Sequence, residues 1–74
     1  MTLNKLRKQQ TAKITHLPED LQLAAKLLEQ GITPELTLTL AHKAPFNGPL
    51  AFQFDGVTVS MQAKVAEQIK VELV

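Results

Sequence analysis

The strongest constraint on the fold is a pair of alternating segments joined by a two-residue turn. Apolar residues recur at every second position over residues 50–54 and again over residues 57–61, with Asp55-Gly56 between them. An Asp-Gly pair readily adopts the positive φ angles of a tight turn, so the pattern predicts a β-hairpin. Residues 36–40 alternate leucine and threonine in the same way, which predicts a further strand with its leucines facing inward. This half of the chain is therefore expected to be antiparallel β structure.

Two more strands and one helix are predicted outside this region. Residues 11–17 and 69–73 alternate weakly and read as strands, and residues 63–68 are long enough for one helical turn. The helix is predicted at about residues 19–30, between Pro18 at its start and Gly31 at its end. Its inward stripe is predicted from the following residues at spacings of three and four: Leu21, Ala24, Ala25 and Leu28.

These elements predict a mainly β fold with one inserted α-helix. Five strands in this order cannot form a parallel βαβ layout, and closing them into a small five-stranded β-barrel buries their apolar faces together. Residues 11–74 are expected to form this single domain. Residues 1–10 hold much of the positive charge and are expected to be a basic, partly flexible N-terminal arm.

Length and composition argue against an enzyme. A chain of 74 residues has a thin core and no room for a deep enclosed active site. It has no cysteine, and its one serine, Ser60, lacks the glycine elbow of a hydrolase nucleophile. No apolar run approaches the length needed to span a bilayer. We therefore expect a cytoplasmic protein with no catalytic residue, no cofactor and no direct membrane insertion.

The charge distribution leaves a nucleic-acid-binding barrel as one alternative. Lys5, Arg7, Lys8 and Lys13 precede the first acidic residue, and the rest of the chain has four basic against seven acidic residues. Such an arm could contact phosphate groups. The chain has only three phenylalanines and no other aromatic residue, however, so the stacking platform of a single-strand binder is missing. We expect no nucleic-acid partner.

His16 and His42 are the only candidate metal ligands with imidazole side chains. They are weak candidates, because they are far apart in sequence and no cysteine accompanies them. An iron-binding protein would require both to converge with carboxylates around Fe²⁺. A solvated position for each histidine is the simpler expectation.

Two apolar surfaces are candidates for contact with a partner protein. The first is the loop formed by Pro45, Phe46, Asn47, Gly48 and Pro49, in which Asn47-Gly48 is predicted to supply the positive φ angles of a tight turn. Phe46 either is exposed or folds back over the end of the barrel. The second is the helix face around Leu23 and Leu27, which lie outside the predicted inward stripe. Formation of a homo-oligomer through such a surface is an alternative.

Three short patterns, in this order, resemble the FeoA family, small cytoplasmic proteins of bacterial ferrous-iron transport. They are Gly31-x-x-Pro34, Ala44-Pro45-x-x-Gly48-Pro49 and Ala66-x-x-Ile69-x-Val71. The resemblance extends over nearly the whole chain. Four positions depart from the family pattern, with Lys26 and Gln62 where arginine is typical, Gln30 in place of leucine and Glu35 in place of glycine.

The resemblance implies a Src-homology-type β-barrel with an inserted helix. It also implies a role beside FeoB, the membrane ferrous-iron transporter with a cytosolic G domain, at which the protein would be peripheral to the inner membrane. Similar domains end metal-dependent repressors, so a stand-alone metal-responsive or iron-binding regulatory domain is the alternative. The Phe46 loop and the Leu23–Leu27 helix face are the expected contacts with FeoB.

Overall fold

A computed structural model describes residues 1–74 as one five-stranded antiparallel sheet with three short helical segments. The strands are β1 (Thr11–His16), β2 (Thr37–Lys43), β3 (Leu50–Phe54), β4 (Val57–Met61) and β5 (Lys70–Leu73). The helices are α1 (Leu21–Glu29) and α2 (Ala63–Ala66), and a 3-10 turn, Leu3–Lys5, is called the N-terminal turn below. The mainly β class and the hairpin of β3 and β4 are confirmed.

The sheet curls but does not close into the expected barrel. Its strand order is β4-β3-β2-β1-β5, so β4 and β5 form its two edges and do not pair. The first residues of the chain occupy the outer edge of β5 instead. The Val71 amide donates to the Met1 carbonyl oxygen at 2.8 Å, and the Leu3 amide donates to the Ile69 carbonyl oxygen at 2.8 Å. These bonds occupy part of the edge with which β4 would have to pair.

The N-terminal residues therefore belong to the folded domain, and the expectation of a separate arm over residues 1–10 is wrong. Leu3 and Leu6 are both fully buried in the core. Their spacing of three places them on one side of the N-terminal turn, and this spacing was the signal in the sequence. Arg7, Lys8 and Gln9 are exposed. The high local charge of the segment concealed its two core positions.

Helix α1 forms where predicted but presents a different face to the core. The Asp20 side chain caps it, accepting hydrogen bonds from the Gln22 and Leu23 amides at 2.9 and 3.2 Å. Leu27 is 3% exposed, whereas Leu21 and Leu28 of the predicted inward stripe are 83% and 47% exposed. The helix is apolar on two faces, so periodicity alone could not choose between them. The turn after α1 fixes which face meets the core. In this turn the Ile32 amide donates to the Leu27 carbonyl oxygen at 2.9 Å, and Ile32 is buried together with Leu27.

The core lies inside the curled sheet and consists only of apolar side chains. It contains 14 buried hydrophobic residues, and no polar or charged residue is buried. Phe52 on β3 is the largest side chain that is fully buried. Every polar or charged side chain is therefore at least partly accessible to a partner.

Candidate functional site

The 45–49 loop between β2 and β3 is the most unusual feature of the surface. Residues 45–48 form a tight turn in which the Gly48 amide donates to the Pro45 carbonyl oxygen at 3.1 Å. The two central residues, Phe46 and Asn47, have φ angles of 57° and 58°. Positive φ at both central positions defines a type I′ turn.

A phenylalanine at position 46 strains the backbone of this turn. Asparagine is well suited to the left-handed region, but a bulky side chain there costs about 1–2 kcal/mol. Phe46 is also 100% exposed, so no packing compensates for the strain. The alternative in which Phe46 folds back over the sheet is therefore wrong. Strain of this kind is typical of binding sites, where the backbone holds a side chain ready for contact.

Gly48 has a different role from the one the sequence indicated. We expected Asn47-Gly48 to supply the positive φ angles, but Phe46 and Asn47 adopt them. A Cβ atom on Gly48 would lie 2.7 Å from the Ala44 Cβ atom and 3.0 Å from the Pro45 carbonyl oxygen. Glycine is therefore required because the two arms of the loop approach each other closely.

The N-terminal turn contacts Lys43, the last residue of β2 before the loop. The Lys43 Nζ atom, at the end of β2, donates to the Asn4 and Leu6 carbonyl oxygens at 3.1 and 3.3 Å. Between the loop and the N-terminal turn lies an open cleft of about 480 Å³, whose lining includes Lys5 and Phe46. Sequence reasoning missed the contribution of the N-terminal turn to this site, since it treated the segment as lying outside the domain.

The second predicted contact surface, the helix face around Leu23 and Leu27, is not exposed as expected. Leu27 is buried and Leu23 packs partly against the core. The apolar residues that α1 presents to solvent are Leu21, Ala25 and Leu28. Residues 30–36 separate α1 from the start of β2, whereas the 45–49 loop follows the end of β2. The loop and the helix therefore belong to different connections of the sheet.

The structure does not bring His16 and His42 together. Thr11 pairs with Thr39 in the antiparallel ladder of β1 and β2, and the two histidines lie beyond this pair in opposite directions. Their combined offset of eight residues corresponds to about 26 Å along the strands. No group of three or more histidine, cysteine, aspartate or glutamate residues could hold a metal ion. Neither histidine therefore belongs to a group of side chains that could hold Fe²⁺.

Several of the basic residues make contacts within the domain. Lys13 forms an ion pair with Glu35 at 3.4 Å, and Lys43 bonds to the N-terminal turn as described. Lys5, Arg7 and Lys8 are exposed near the start of the chain. The positive charge is thus divided among separate positions and does not form the continuous arm that the sequence indicated.

A family model for the FeoA domain matches residues 1–73. The chain belongs to the FeoA domain family. Membership implies a role in ferrous-iron transport. No curated protein matches the chain by sequence.

Solved structures of FeoA proteins share the fold of this FeoA domain. A FeoA-like protein from Clostridium acetobutylicum has a TM-score of 0.88 at 23% identity, covering 100% of this chain and 86% of that chain. FeoA from Chlorobium tepidum has a TM-score of 0.91 at 23% identity, covering 100% of this chain and 70% of that one. A manganese-dependent transcriptional repressor has a TM-score of 0.90 at 21% identity, covering 100% of this chain and 41% of that chain.

One departure of this FeoA domain from the family pattern lies at a left-handed backbone position. Glu35, where the resemblance implies glycine, has a φ angle of 75°. Its amide donates to the Ile14 carbonyl oxygen at 2.8 Å, and its side chain pairs with Lys13. Lys26, Gln30 and Gln62 are exposed, so their departures change the surface and leave the core intact. No helix of the domain has the length and apolarity to cross a membrane.

Proposed function

We propose that this FeoA domain is a cytoplasmic accessory protein of bacterial ferrous-iron uptake that binds the cytosolic G-domain region of FeoB through the 45–49 loop. It acts by protein–protein contact and without a catalytic residue of its own. It is peripheral to the inner membrane through this partner. Family membership supports the process, and the geometry of the loop supports the mode of action.

The exposure of Phe46 on a left-handed backbone is the observation that carries the proposal. An aromatic side chain that is 100% exposed can bury its whole surface on binding. The turn fixes its backbone, and the bonds from Lys43 fix the base of the loop. Little conformational entropy is therefore lost when the loop docks, which favours affinity. Aromatic residues held in this way are typical binding hot spots.

The proposal is tested by titrating the isotopically labelled domain with the isolated cytosolic domain of FeoB, with and without guanine nucleotide. We expect NMR shift changes at the 45–49 loop. Phe46→Asp should weaken binding by about 30-fold, since a hot-spot side chain contributes about 2 kcal/mol or more.

Leu21→Asp is the matched control, because Leu21 is also highly exposed but lies on α1, outside the 45–49 loop. It should leave binding unchanged. Normal binding by folded Phe46→Asp would contradict the proposal, and a loss confined to Leu21→Asp would move the contact to α1.

The likeness to the manganese-dependent repressor favours a second candidate, a protein-contact domain of a metal-responsive regulator. The repressor contains a domain of this fold within 41% of its chain. This candidate predicts that binding to any partner requires a divalent metal ion. Repeating the titration with Mn²⁺, Fe²⁺ or a chelator separates the two functions, because the accessory role predicts binding under all three conditions.

A further inference from the structure

The two edge strands of the sheet, β5 and β4, differ in whether another segment of the chain pairs with their outer side. The outer edge of β5 is covered by the first residues of the chain, through the bonds at Met1 and Leu3 and a bridge between Thr2 and Lys70. The outer edge of β4 has no such cover, since β4 pairs only with β3. An open edge exposes a row of backbone donors and acceptors that can pair with another strand.

Strand β4 also lacks the devices that usually protect an open edge. Residues 57–61 include no charged residue and no proline. The β3–β4 ladder is regular over five consecutive pairs, whereas the β1–β5 and β2–β3 ladders each have a bulge. Charges, prolines and bulges are the features by which edges avoid association. The open edge is therefore regular, uncharged and rich in β-branched residues.

The free backbone groups of this edge can be assigned. Phe54 and Val57 flank the two-residue turn and face each other, so they form a hydrogen-bonded pair. Hydrogen-bonded and non-bonded pairs alternate along an antiparallel ladder, so Val59 also bonds to β3. Thr58 and Ser60 consequently direct their amide and carbonyl groups away from β3. Both residues are exposed.

We propose that β4 pairs antiparallel with β4 of a second copy of this chain, about a two-fold axis at Val59. Thr58 then faces Ser60 of the second copy, and the reverse pair is equivalent. These two pairs place all four free amides of Thr58 and Ser60 opposite carbonyl oxygens. Val59 faces Val59 of the second copy in a non-bonded pair, where side chains approach most closely.

The sequence around β4 favours a second copy over an unrelated strand. In the proposed register the hydroxyl residues Thr58 and Ser60 face each other, and Val57, which is 49% exposed, lies at each end of the paired segment. Residues 57–61 carry no charge, so a second copy in this register brings no like charges opposite each other. Symmetry doubles each of these contacts.

The first test measures association and amide exchange together. Sedimentation equilibrium should show the mass rising from that of one chain toward that of two as concentration increases. Hydrogen exchange at the Thr58 and Ser60 amides should slow over the same range, while Val59 stays protected throughout. A single-chain mass and unchanged exchange at the highest concentration would overturn the proposal. Protection of these amides only after another protein is added would assign the edge to a different occupant.

The second test uses charges at the two exposed positions. Thr58→Lys with Ser60→Lys places lysines opposite each other across the axis, and like charges in this arrangement oppose pairing. This variant should remain a single chain, and so should the matched variant with Thr58→Glu and Ser60→Glu. An equimolar mixture of the two should associate again. Association of either variant alone to the wild-type extent would show that another surface is used.

This inference does not depend on the proposed function. Phe46→Asp should dimerise as the wild-type chain does, and the lysine variant should still bind FeoB.

Discussion

Two tight turns of this domain share one backbone geometry but differ in the residues that adopt it. The 54–57 turn has Asp55 and Gly56 at φ angles of 49° and 75°, and the 45–48 turn has Phe46 and Asn47 at 57° and 58°. Aspartate and glycine suit the left-handed region, so the first turn follows local preference. Phenylalanine does not, so the second turn departs from it at one residue.

The two turns also differ in how closely the rest of the domain packs against them. The 54–57 turn stands open, since a Cβ atom on Gly56 would meet nothing within 4 Å. The 45–49 loop instead requires close packing at Gly48 and bonds from Lys43 to the N-terminal turn. Tertiary contacts thus hold a conformation that the local sequence disfavours, and a local conflict of this kind is expected at functional sites.

The largest effect is expected from removing the support of the 45–49 loop. The Leu6 side chain is fully buried, and its carbonyl oxygen accepts a hydrogen bond from the Lys43 Nζ atom at 3.3 Å. Leu6→Ala should lower the free energy of unfolding by about 2–5 kcal/mol, because it leaves a cavity. Urea denaturation measures this loss. Lys8→Ala, at an exposed position of the same segment, should change stability by less than about 0.5 kcal/mol. Equal stability of the two variants would show that the N-terminal turn is not part of the core.

A smaller effect is expected from alanine at the two glycines, and here the two turns should differ in kind. Gly48→Ala brings a Cβ atom to 2.7 Å from the Ala44 Cβ atom and should cost about 1–3 kcal/mol through displacement of the loop. Gly56→Ala meets no atom and should cost about 1–2 kcal/mol through its φ angle alone. NMR shifts of Phe46 should change in the first variant and not in the second. Unchanged Phe46 shifts in Gly48→Ala would contradict the close approach.

The smallest effect is a gain in stability. Phe46→Asn places a residue that tolerates positive φ at the strained position and should raise the free energy of unfolding by about 1 kcal/mol. If the proposed contact with FeoB is made by Phe46, the same change should also weaken that binding. Asp55→Asn is the control and should leave thermal unfolding nearly unchanged, because both residues tolerate this conformation. A loss of stability in Phe46→Asn would mean that Phe46 packs within the domain.

Local patterns predicted most of the elements of this fold. The strands of the hairpin fall at residues 50–54 and 57–61 as expected, and α1 lies within the predicted range of about 19–30. These predictions succeed because alternation, Asp-Gly turns, Pro18 and Gly31 act over a few neighbouring residues. The FeoA family assignment also followed from short patterns of Gly, Pro and apolar residues.

The candidate site was predicted in part. The 45–49 loop was identified from Phe46 between two prolines, but the choice between an exposed and a folded-back ring was open. The helix face was assigned wrongly, since Leu23 and Leu27 satisfy the same periodicity as Leu21 and Leu28. Helical periodicity identifies faces but does not say which face meets the core.

The sequence by itself determined the positions of the strands, the turns and the helix, because these depend on interactions between near neighbours. Only the tertiary structure decided which face of α1 is buried, how far apart His16 and His42 lie, and that residues 1–3 occupy the edge of β5. Each of these outcomes depends on contacts between residues distant in the chain. Another long-range contact, from Lys43 to the Asn4 and Leu6 carbonyl oxygens, holds the base of the 45–49 loop, and no local pattern encodes it.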